Sequence, residues 1–518
     1  MTGLWKQGYN KDIFVEKWRL SPSQLVYHLE RMIHVKKLCK ILALTMMLVL
    51  ALGLCAGASD FDSIAQELKD VGLFQGTDTG FELDRAPTRT EAAVMLVRLL
   101  GAEEQATADF EAGVATHPFE DVPAWADAHV AWLFTKGLTN GVSETEFGAN
   151  NLCNAQMYCT FVLRSLEYSD GENGQFTYDN ALTFAAEKGL YNAAVFGGDF
   201  LRDDVVAISY QALSTALNEK ETTLLAKLVA DGAVTEEAAK PILDKAEIYA
   251  AYVKACAAFE DVKAMDMGVT GTMKMSIDGQ DPVTAETTAA MKTIITDTDV
   301  QLEGVTTVKE GETETSVKQW IKDGVMYMDD GEQKIKMAMD FTDLLAAAQQ
   351  QSANVNLAND GLYLIDTITA TEDDNGTTYA ITLTGALNSA LDSVLGQMGD
   401  MGLDKMEIGA MTMSVVIDKD GVLKSVGAQL DMVMQLTVEE QTTAIAYEYD
   451  MVCTINAMGD SVTITFPDFT DFVEMTLPET EGENETTEGE TTPEDETTEG
   501  ETTPEGEGET APEGDAAA

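Results

Sequence analysis

The chain has 518 residues, 89 of them acidic and 32 basic, which gives a formal net charge of -57. A field of this sign repels nucleic acid and anionic lipid headgroups, so we expect no nucleic-acid partner. Apolar residues make up 45% of the sequence, which is enough for packed cores, and the length accommodates roughly three domains.

Residues 1–58 are predicted to be an upstream extension followed by a secretory signal peptide that starts at Met32. The signal combines a basic start, an apolar run and a small-residue cleavage site: Lys36, Lys37 and Lys40, then 41–54, then Ala56-Gly57-Ala58. The apolar run is too short for a permanent transmembrane helix, which needs roughly 20 residues. We therefore expect a secreted chain that begins at Ser59 and has no transmembrane segment. Lipid attachment at Cys55 is an alternative, although Leu54 is bulky where a lipoprotein signal requires a small residue.

A helix–loop–helix pattern recurs three times within residues 59–220. The copies cover these residues: about 59–101, 117–168 and 174–218. Repeats of this length indicate one supersecondary unit used several times. In the first copy, Pro87 precedes Thr88 and Glu91, which have the spacing of a capping box, so a helix is predicted to begin there. One helix pair cannot bury its apolar face alone, so we expect the copies to pack together.

Three short motifs in this block resemble those of the S-layer-homology family. They are Phe119-Glu120-Asp121-Val122 for F-x-D-V, Gly80-Phe81 for the G-x-F loop and Thr88-Arg89-Thr90-Glu91 for T-R-A-E. The resemblance implies a three-pronged, all-α bundle that binds an anionic secondary cell-wall polysaccharide, often a pyruvylated one. It therefore implies non-covalent attachment to the cell wall and a location at the surface of a bacterium.

The candidate polysaccharide-binding residues are Thr88, Arg89, Glu91, Trp125, Arg202 and Asp204. A helix start offers free N–H groups and positive potential, and an arginine beside it offers a planar fork for a carboxylate. Arg202 and Asp204 occupy the corresponding positions of the third repeat, where Leu201 replaces the capping threonine, while the second repeat lacks the arginine. The alternatives are that Thr88 and Glu91 only cap a helix, that the arginines are solvated and that Trp125 packs in a core.

Residues 221–264 are predicted to be a helical connector, broken at Gly232 and Pro241. Over residues 265–476 the hydrophobic period changes to two, with Asp-Gly and Asn-Gly turns between alternating strands. Amphipathic helices are predicted near 341–351 and 386–398. The pattern predicts an α+β domain with an extended antiparallel sheet that folds independently of the repeats.

The hairpin at residues 317–337 and the Asp-Lys-Asp-Gly turn at 418–421 resemble the half-barrel of LolA/LppX-type lipoprotein carriers. Methionines two residues apart share one face of a strand: Met326, Met328, Met411, Met413, Met432 and Met434. This face either packs in a core or forms a concave surface for an apolar ligand. Residues 477–518 repeat Glu, Thr, Gly and Pro, so we expect a disordered acidic tail.

No catalytic residue, cofactor or metal site is predicted. After the signal the chain has two histidines, His117 and His129, and it lacks G-x-S-x-G, H-E-x-x-H, P-loop and paired-cysteine motifs. We predict a non-enzymatic, wall-anchored protein whose β-rich domain serves for binding or display. A wall-anchored carrier of an apolar or lipid ligand is the first alternative, and an unrecognised hydrolase that uses a carboxylate pair is the second.

Overall fold

The computed structural model describes residues 61–474 except 194, 197, 260–261, 278–281, 297–298, 339–360, 385–402 and 439–440. The predicted signal peptide, the helices near 341–351 and 386–398 and the acidic tail lie outside the described residues. Residues 61–474 belong to one compact unit.

The N-terminal part is helical, as predicted. Its α-helices are α1 (Asp62–Asp70), α2 (Arg89–Leu99), α3 (Glu103–Glu111), α4 (Asp127–Thr135), α5 (Ala155–Ser165), α6 (Ala181–Glu187), α7 (Arg202–Ser214), α8 (Leu224–Ala230) and α9 (Glu236–Cys256). The capping box at α2 is confirmed: Glu91 N donates to Thr88 Oγ1 at 3.2 Å and Thr88 N donates to Glu91 Oε2 at 2.7 Å. At α5, Asn154 caps the helix by accepting a hydrogen bond from Met157 N.

The predicted break at Pro241 is wrong, because α9 continues through this residue from Glu236 to Cys256. A proline removes one backbone hydrogen bond and crowds the preceding turn. Here Ala239, Ile242 and Lys245 are buried on one side of the helix. Their packing maintains the helix in spite of the proline.

The C-terminal part is one large open sheet. Its strands are β1 (Ala264–Ile277), β2 (Val283–Ile295), β3 (Val300–Glu310), β4 (Thr313–Lys322), β5 (Val325–Asp329), β6 (Lys334–Ala338), β7 (Ile365–Asp373), β8 (Gly376–Leu383), β9 (Leu403–Ile417), β10 (Leu423–Val438), β11 (Gln441–Met458) and β12 (Val473–Glu474). Their order is β12-β6-β5-β4-β3-β2-β1-β11-β10-β9-β8-β7, and all pairs except β12–β6 are antiparallel. The predicted antiparallel sheet is confirmed, while its half-barrel shape stays a prediction.

The sheet and the repeats share one hydrophobic core. A short 3-10 turn, Leu362–Leu364, leads into β7, and Tyr363 is completely buried among helical residues. The centroid of its ring lies 6.0 Å from that of Phe61 and 5.2 Å from that of Phe196. The start of β7 thus completes the core of the helices, and the independent folding of the sheet stays a prediction.

Both edges of the sheet are partly covered. At the β7 edge, Lys245 Nζ of α9 donates to Ile365 O at 3.2 Å and to Asp366 O at 3.0 Å, and it pairs with Glu67 Oε1 at 2.7 Å. At the opposite edge, β12 pairs with β6. The backbone carbonyls of β7 thus bond to a side chain where a further strand would otherwise pair.

Across the described residues, no helix is both long enough and apolar enough to cross a membrane.

We expect Tyr363→Ala to lower the free energy of unfolding by about 3–5 kcal/mol, because it empties a fully buried aromatic site. Urea unfolding should be followed in two variants that retain only Trp132, in the repeats, or only Trp320, in the sheet. If the core is shared, both Trp132 and Trp320 should report the lower free energy of unfolding. Tyr363→Phe keeps the ring and should cost much less. A loss that appears only at Trp320 would contradict the shared core.

Candidate functional site

Arg89 is the most unusual charged residue of the repeats. It is 6% exposed at the start of α2, and its Nε has no hydrogen-bond partner. The guanidinium carbon lies 4.9 Å from the ring centroid of Phe147 and 5.0 Å from that of Phe161. The two aromatic faces stabilise the cation through their quadrupoles, but they supply no counter-charge.

No carboxylate within the described part of the chain forms an ion pair with Arg89. Asp121, of the F-x-D-V motif, acts on it only at longer range. The oxygens of Asp121 instead accept hydrogen bonds from the backbone N–H groups of Phe147, Gly148 and Ala149 at 2.7–2.8 Å. Burial lowers the pKa of Arg89. The site is therefore a desolvated cation that a bound anion would stabilise.

The helix start beside Arg89 does not offer the free N–H groups that the sequence suggests. Arg89 N donates to Asn151 O at 2.8 Å, and Thr90 N donates to Ala149 O at 3.4 Å. The loop of the second repeat thus satisfies the first donors of α2. The expectation of free donors is wrong, and the guanidinium is what remains for a ligand.

Thr88 and Glu91 are both engaged within the protein. Besides its part in the capping box, Glu91 accepts a bidentate pair from Arg85, with N–O distances of 3.0 and 2.9 Å. Burial alone would raise the pKa of Glu91, but the bonds from Arg85 and from Thr88 outweigh it and lower this pKa. Both residues therefore stabilise the start of α2.

Arg202 lies in a similar position in the third repeat but has internal partners. It is 4% exposed, its Nε donates to Phe81 O at 3.0 Å, and its Nη1 lies 3.6 Å from Met95 Sδ. The backbone of α7 also begins against the first repeat, where Arg202 N donates to Arg85 O at 3.0 Å. Arg202 therefore joins the first and third repeats, and its guanidinium is less available to a ligand than that of Arg89.

Asp204 is a partly buried acid beside Arg202. Its Oδ2 accepts a hydrogen bond from Leu201 N at 2.6 Å, which corresponds to the bond between Thr88 N and Glu91 in the first repeat, while the leucine side chain cannot supply the threonine's half of the capping box. Burial raises its pKa to about 6, and the bond from Leu201 opposes this only in part. Asp204 thus gains its full charge only above about pH 6.

The aromatic candidate Trp125 is 59% exposed on the loop before α4. Tyr178, which the sequence did not single out, is 44% exposed and close enough to Arg89 for the two to affect each other electrostatically. Exposed aromatic rings suit stacking on the apolar faces of sugars. Tyr178 is thus an exposed ring close to Arg89, a placement that the sequence did not indicate.

A second candidate site lies on the sheet, where β1, β11 and β10 align apolar residues in two cross-strand rows. One row is Met273, Tyr449 and Leu430, and the next is Met275, Tyr447 and Met432. All six side chains are partly buried. We call these six residues the apolar strip. The rings of Tyr447 and Tyr449 are stacked with centroids 5.8 Å apart.

The apolar strip continues into a buried cluster on the same face. The cluster consists of Met267, Val269, Ala289, Met291, Cys453 and Ile455. The opposite face of the same strands is polar: Lys274 Nζ pairs with Glu448 Oε1 at 2.6 Å, and Gln429 Nε2 donates to Asp450 at 3.1 Å. The sheet is therefore amphipathic, with methionine and tyrosine on one face.

Metal chemistry has no support in the described residues, which contain no group of three or more His, Cys, Asp or Glu side chains suited to hold a metal ion. At the turn between β9 and β10, Asp418 Oδ1 accepts hydrogen bonds from Asp420 N and Val422 N at 2.9 and 2.8 Å. These bonds shape a hairpin turn. No disulfide joins the described cysteines, which are Cys153, Cys159, Cys256 and Cys453.

Sequence reasoning missed Phe147, Phe161 and Lys245. Phe147 lies in a loop equivalent to that of Gly80-Phe81 and could have been found by aligning the loops of the repeats. The role of Lys245 depends on β7, more than 100 residues further along the chain, and no local signal indicates it.

Comparison with known proteins gives one family match. Residues 247–469 match a family described as "Family of unknown function (DUF6612)". The match begins inside α9 and covers β1 to β11, while the repeats lie outside it. None of the curated proteins matches the chain significantly.

Three solved structures are similar to part of the chain. A DUF1329 family protein from Desulfovibrio piger has 10% identity and a TM-score of 0.17, over 42% of this chain and 94% of that one. A LolA superfamily protein from Nitrosomonas europaea has 9% identity and a TM-score of 0.16, over 41% and 94%. A β-barrel-like DUF1849 protein from Brucella abortus has 8% identity and a TM-score of 0.15, over 38% and 100%. At such scores these likenesses carry no functional conclusion.

We expect Asp204→Asn to gain stability relative to the natural protein as pH rises. The carboxyl pKa is about 6 in the folded state against 3.8 ordinarily, so between these values the folded chain retains a proton that the unfolded chain has released. Folding stability therefore falls with rising pH in this window, by at most about 3 kcal/mol, and stays lower above it. Asp204→Asn removes this loss of stability, because an amide does not titrate.

Urea unfolding of both proteins at about pH 4 and pH 7 measures the effect. Asp121→Asn is the matched control, and its stability difference should be nearly constant between these pH values, because backbone hydrogen bonds outweigh burial and lower the pKa of Asp121, so that its titration falls below about pH 4. A stability difference for Asp204→Asn that does not change with pH would show that this carboxyl titrates normally.

Proposed function

We propose that the sheet binds an apolar ligand along the apolar strip and that the chain acts as an exported carrier or holder of that ligand. The observation that carries this proposal is the register of β1, β11 and β10. It brings Met273, Met275, Tyr447 and Met432 together on one face that remains partly accessible. Methionine adapts its shape to irregular apolar partners, which suits a flexible hydrocarbon chain.

The energy available is sufficient for useful affinity. A ligand that buries about 300 Å² of apolar surface gains roughly 7.5 kcal/mol at about 25 cal/mol per Å². The entropy cost of association reduces this gain, so micromolar affinity is near the upper limit. A carrier that must also release its ligand works well in this range.

Attachment to the cell wall through the repeats is the second proposed function. Arg89 supports it, since a buried guanidinium with an unpartnered Nε and no ion pair among the described residues is suited to a carboxylate. An acidic wall polysaccharide presents such groups. We propose Arg89 as the principal contact and Arg202 as a weaker one, with the protein at the bacterial surface and no enzymatic activity.

We expect a neutral fluorescent probe such as N-phenyl-1-naphthylamine to bind the full exported chain at micromolar concentration. Met275→Glu should weaken this binding at least about tenfold, because it places a charge in the apolar strip. Ser276→Glu is the matched control: it adds the same charge one residue away on the polar face and should leave binding unchanged. Titration by fluorescence measures both. If the probe does not saturate, the face is a closed core and the carrier proposal fails.

We expect Arg89→Gln to reduce sedimentation of the protein with purified cell-wall sacculi that retain their polysaccharide. Loss of a charge-assisted contact should cost about 1.5–3 kcal/mol, or roughly 10-fold to 100-fold in affinity. Arg202→Gln should have a smaller effect. Arg98→Gln is the control, since Arg98 already pairs with Glu103 at 2.9 Å. If the folded Arg89→Gln protein binds sacculi as well as the natural protein does, the proposed site in the repeats is wrong.

A further inference from the structure

The charged residues of the strands around the apolar strip avoid its face. Seven of the eight charged side chains of β1, β2, β10 and β11 lie on the polar face: Asp266, Lys274, Glu286, Lys292, Asp431, Glu448 and Asp450. The eighth, Lys424, pairs with Asp418 Oδ2 at 3.0 Å in the β9–β10 turn. No cation of these strands is therefore placed to receive an anionic headgroup.

The sequence that follows β6 is poor in cations. Beyond residue 338 the chain contains three basic residues, Lys405, Lys419 and Lys424, and the segments 339–360 and 385–402 contain none. Lys419 Nζ lies 3.5 Å from Asp374 Oδ1 in the turns at the strand ends. The segments 339–360 and 385–402, which follow β6 and β8, thus have no cation to offer the strip.

The polar atoms that the strip does contain are uncharged. Burial raises the pKa of Tyr447, and it raises the pKa of Tyr449 to about 12, with a smaller contribution from Tyr447. Both phenols therefore stay neutral over the physiological range. A phenol can exchange hydrogen bonds with an alcohol or an ester but cannot neutralise a carboxylate.

Two penalties therefore act against an anionic ligand. A carboxylate drawn to the strip would lose water without gaining an ion pair, which is costly. It would also approach a chain of net charge -57, whose field opposes anions. An uncharged headgroup meets neither penalty.

Building on the proposed carrier function, we propose that the apolar strip is selective for amphiphiles with uncharged heads, such as long-chain alcohols and acylglycerol-type esters, over free fatty acids. The hydrocarbon would lie across Met273, Met275 and Met432, with the neutral head near Tyr447. Charge on the head, rather than chain length, would set the preference.

Competition against bound N-phenyl-1-naphthylamine tests this selectivity on the full exported chain. The competitors are a saturated long-chain alcohol and the fatty acid of equal length, both kept below micelle formation. At about pH 8 the alcohol should displace the probe at a concentration at least about tenfold lower. Below about pH 4, where the carboxyl is protonated, the gap should close.

Met275→Lys supplies the missing cation and should make the acid a stronger competitor at about pH 8, whereas Ser276→Lys on the opposite face should not. If the probe binds but the acid competes as well as the alcohol, the selectivity is wrong while the carrier proposal stands. If the probe does not bind at all, both proposals fail.

Discussion

Pairing of β1 with β11 holds the sheet together. The chain forms one series of hairpins from β1 to β6 and another from β7 to β11, and within the described sheet this single pair joins them, from Met265 opposite Met458 to Ile277 opposite Ile445. The apolar strip lies directly on this junction. Side chains alternate between the two faces of a sheet. A one-residue shift in the pairing of β1 with β11 would therefore place the methionines of β1 and the tyrosines of β11 on opposite faces. The position of the second candidate site is thus fixed by register.

The local features of the fold could be predicted from sequence, and the long-range ones could not. The capping box of Thr88 and Glu91 depends on residues three apart, and the strand pattern depends on alternation, so both are visible in a short window. The junction of β1 and β11 links residues about 170 positions apart. The insertion of Tyr363 among the helices is similarly remote, and no local pattern indicates it.

The candidate site was predicted only in part for the same reason. Arg89 was found because it lies in a short motif, but its burial between Phe147 and Phe161 and the loss of free donors to Asn151 and Ala149 arise from packing between repeats. The two sites handle charge in opposite ways. The repeats keep Arg89 without an ion pair among the described residues of a strongly acidic chain, while seven of the eight charged side chains of β1, β2, β10 and β11 lie on the face opposite the apolar strip. The two proposed sites would therefore take ligands of different kinds, an acidic polymer at the repeats and a neutral apolar molecule at the sheet.

The covered edges of the sheet have a consequence for assembly. An open sheet normally presents unpaired N–H and C=O groups at each edge, and a second copy can add its own strand there. Lys245 occupies the carbonyls of the first two residues of β7, and β12 pairs with two residues of β6, so each edge is interrupted. A strand added by a second copy would have to displace one of these contacts to pair along the full length of either edge.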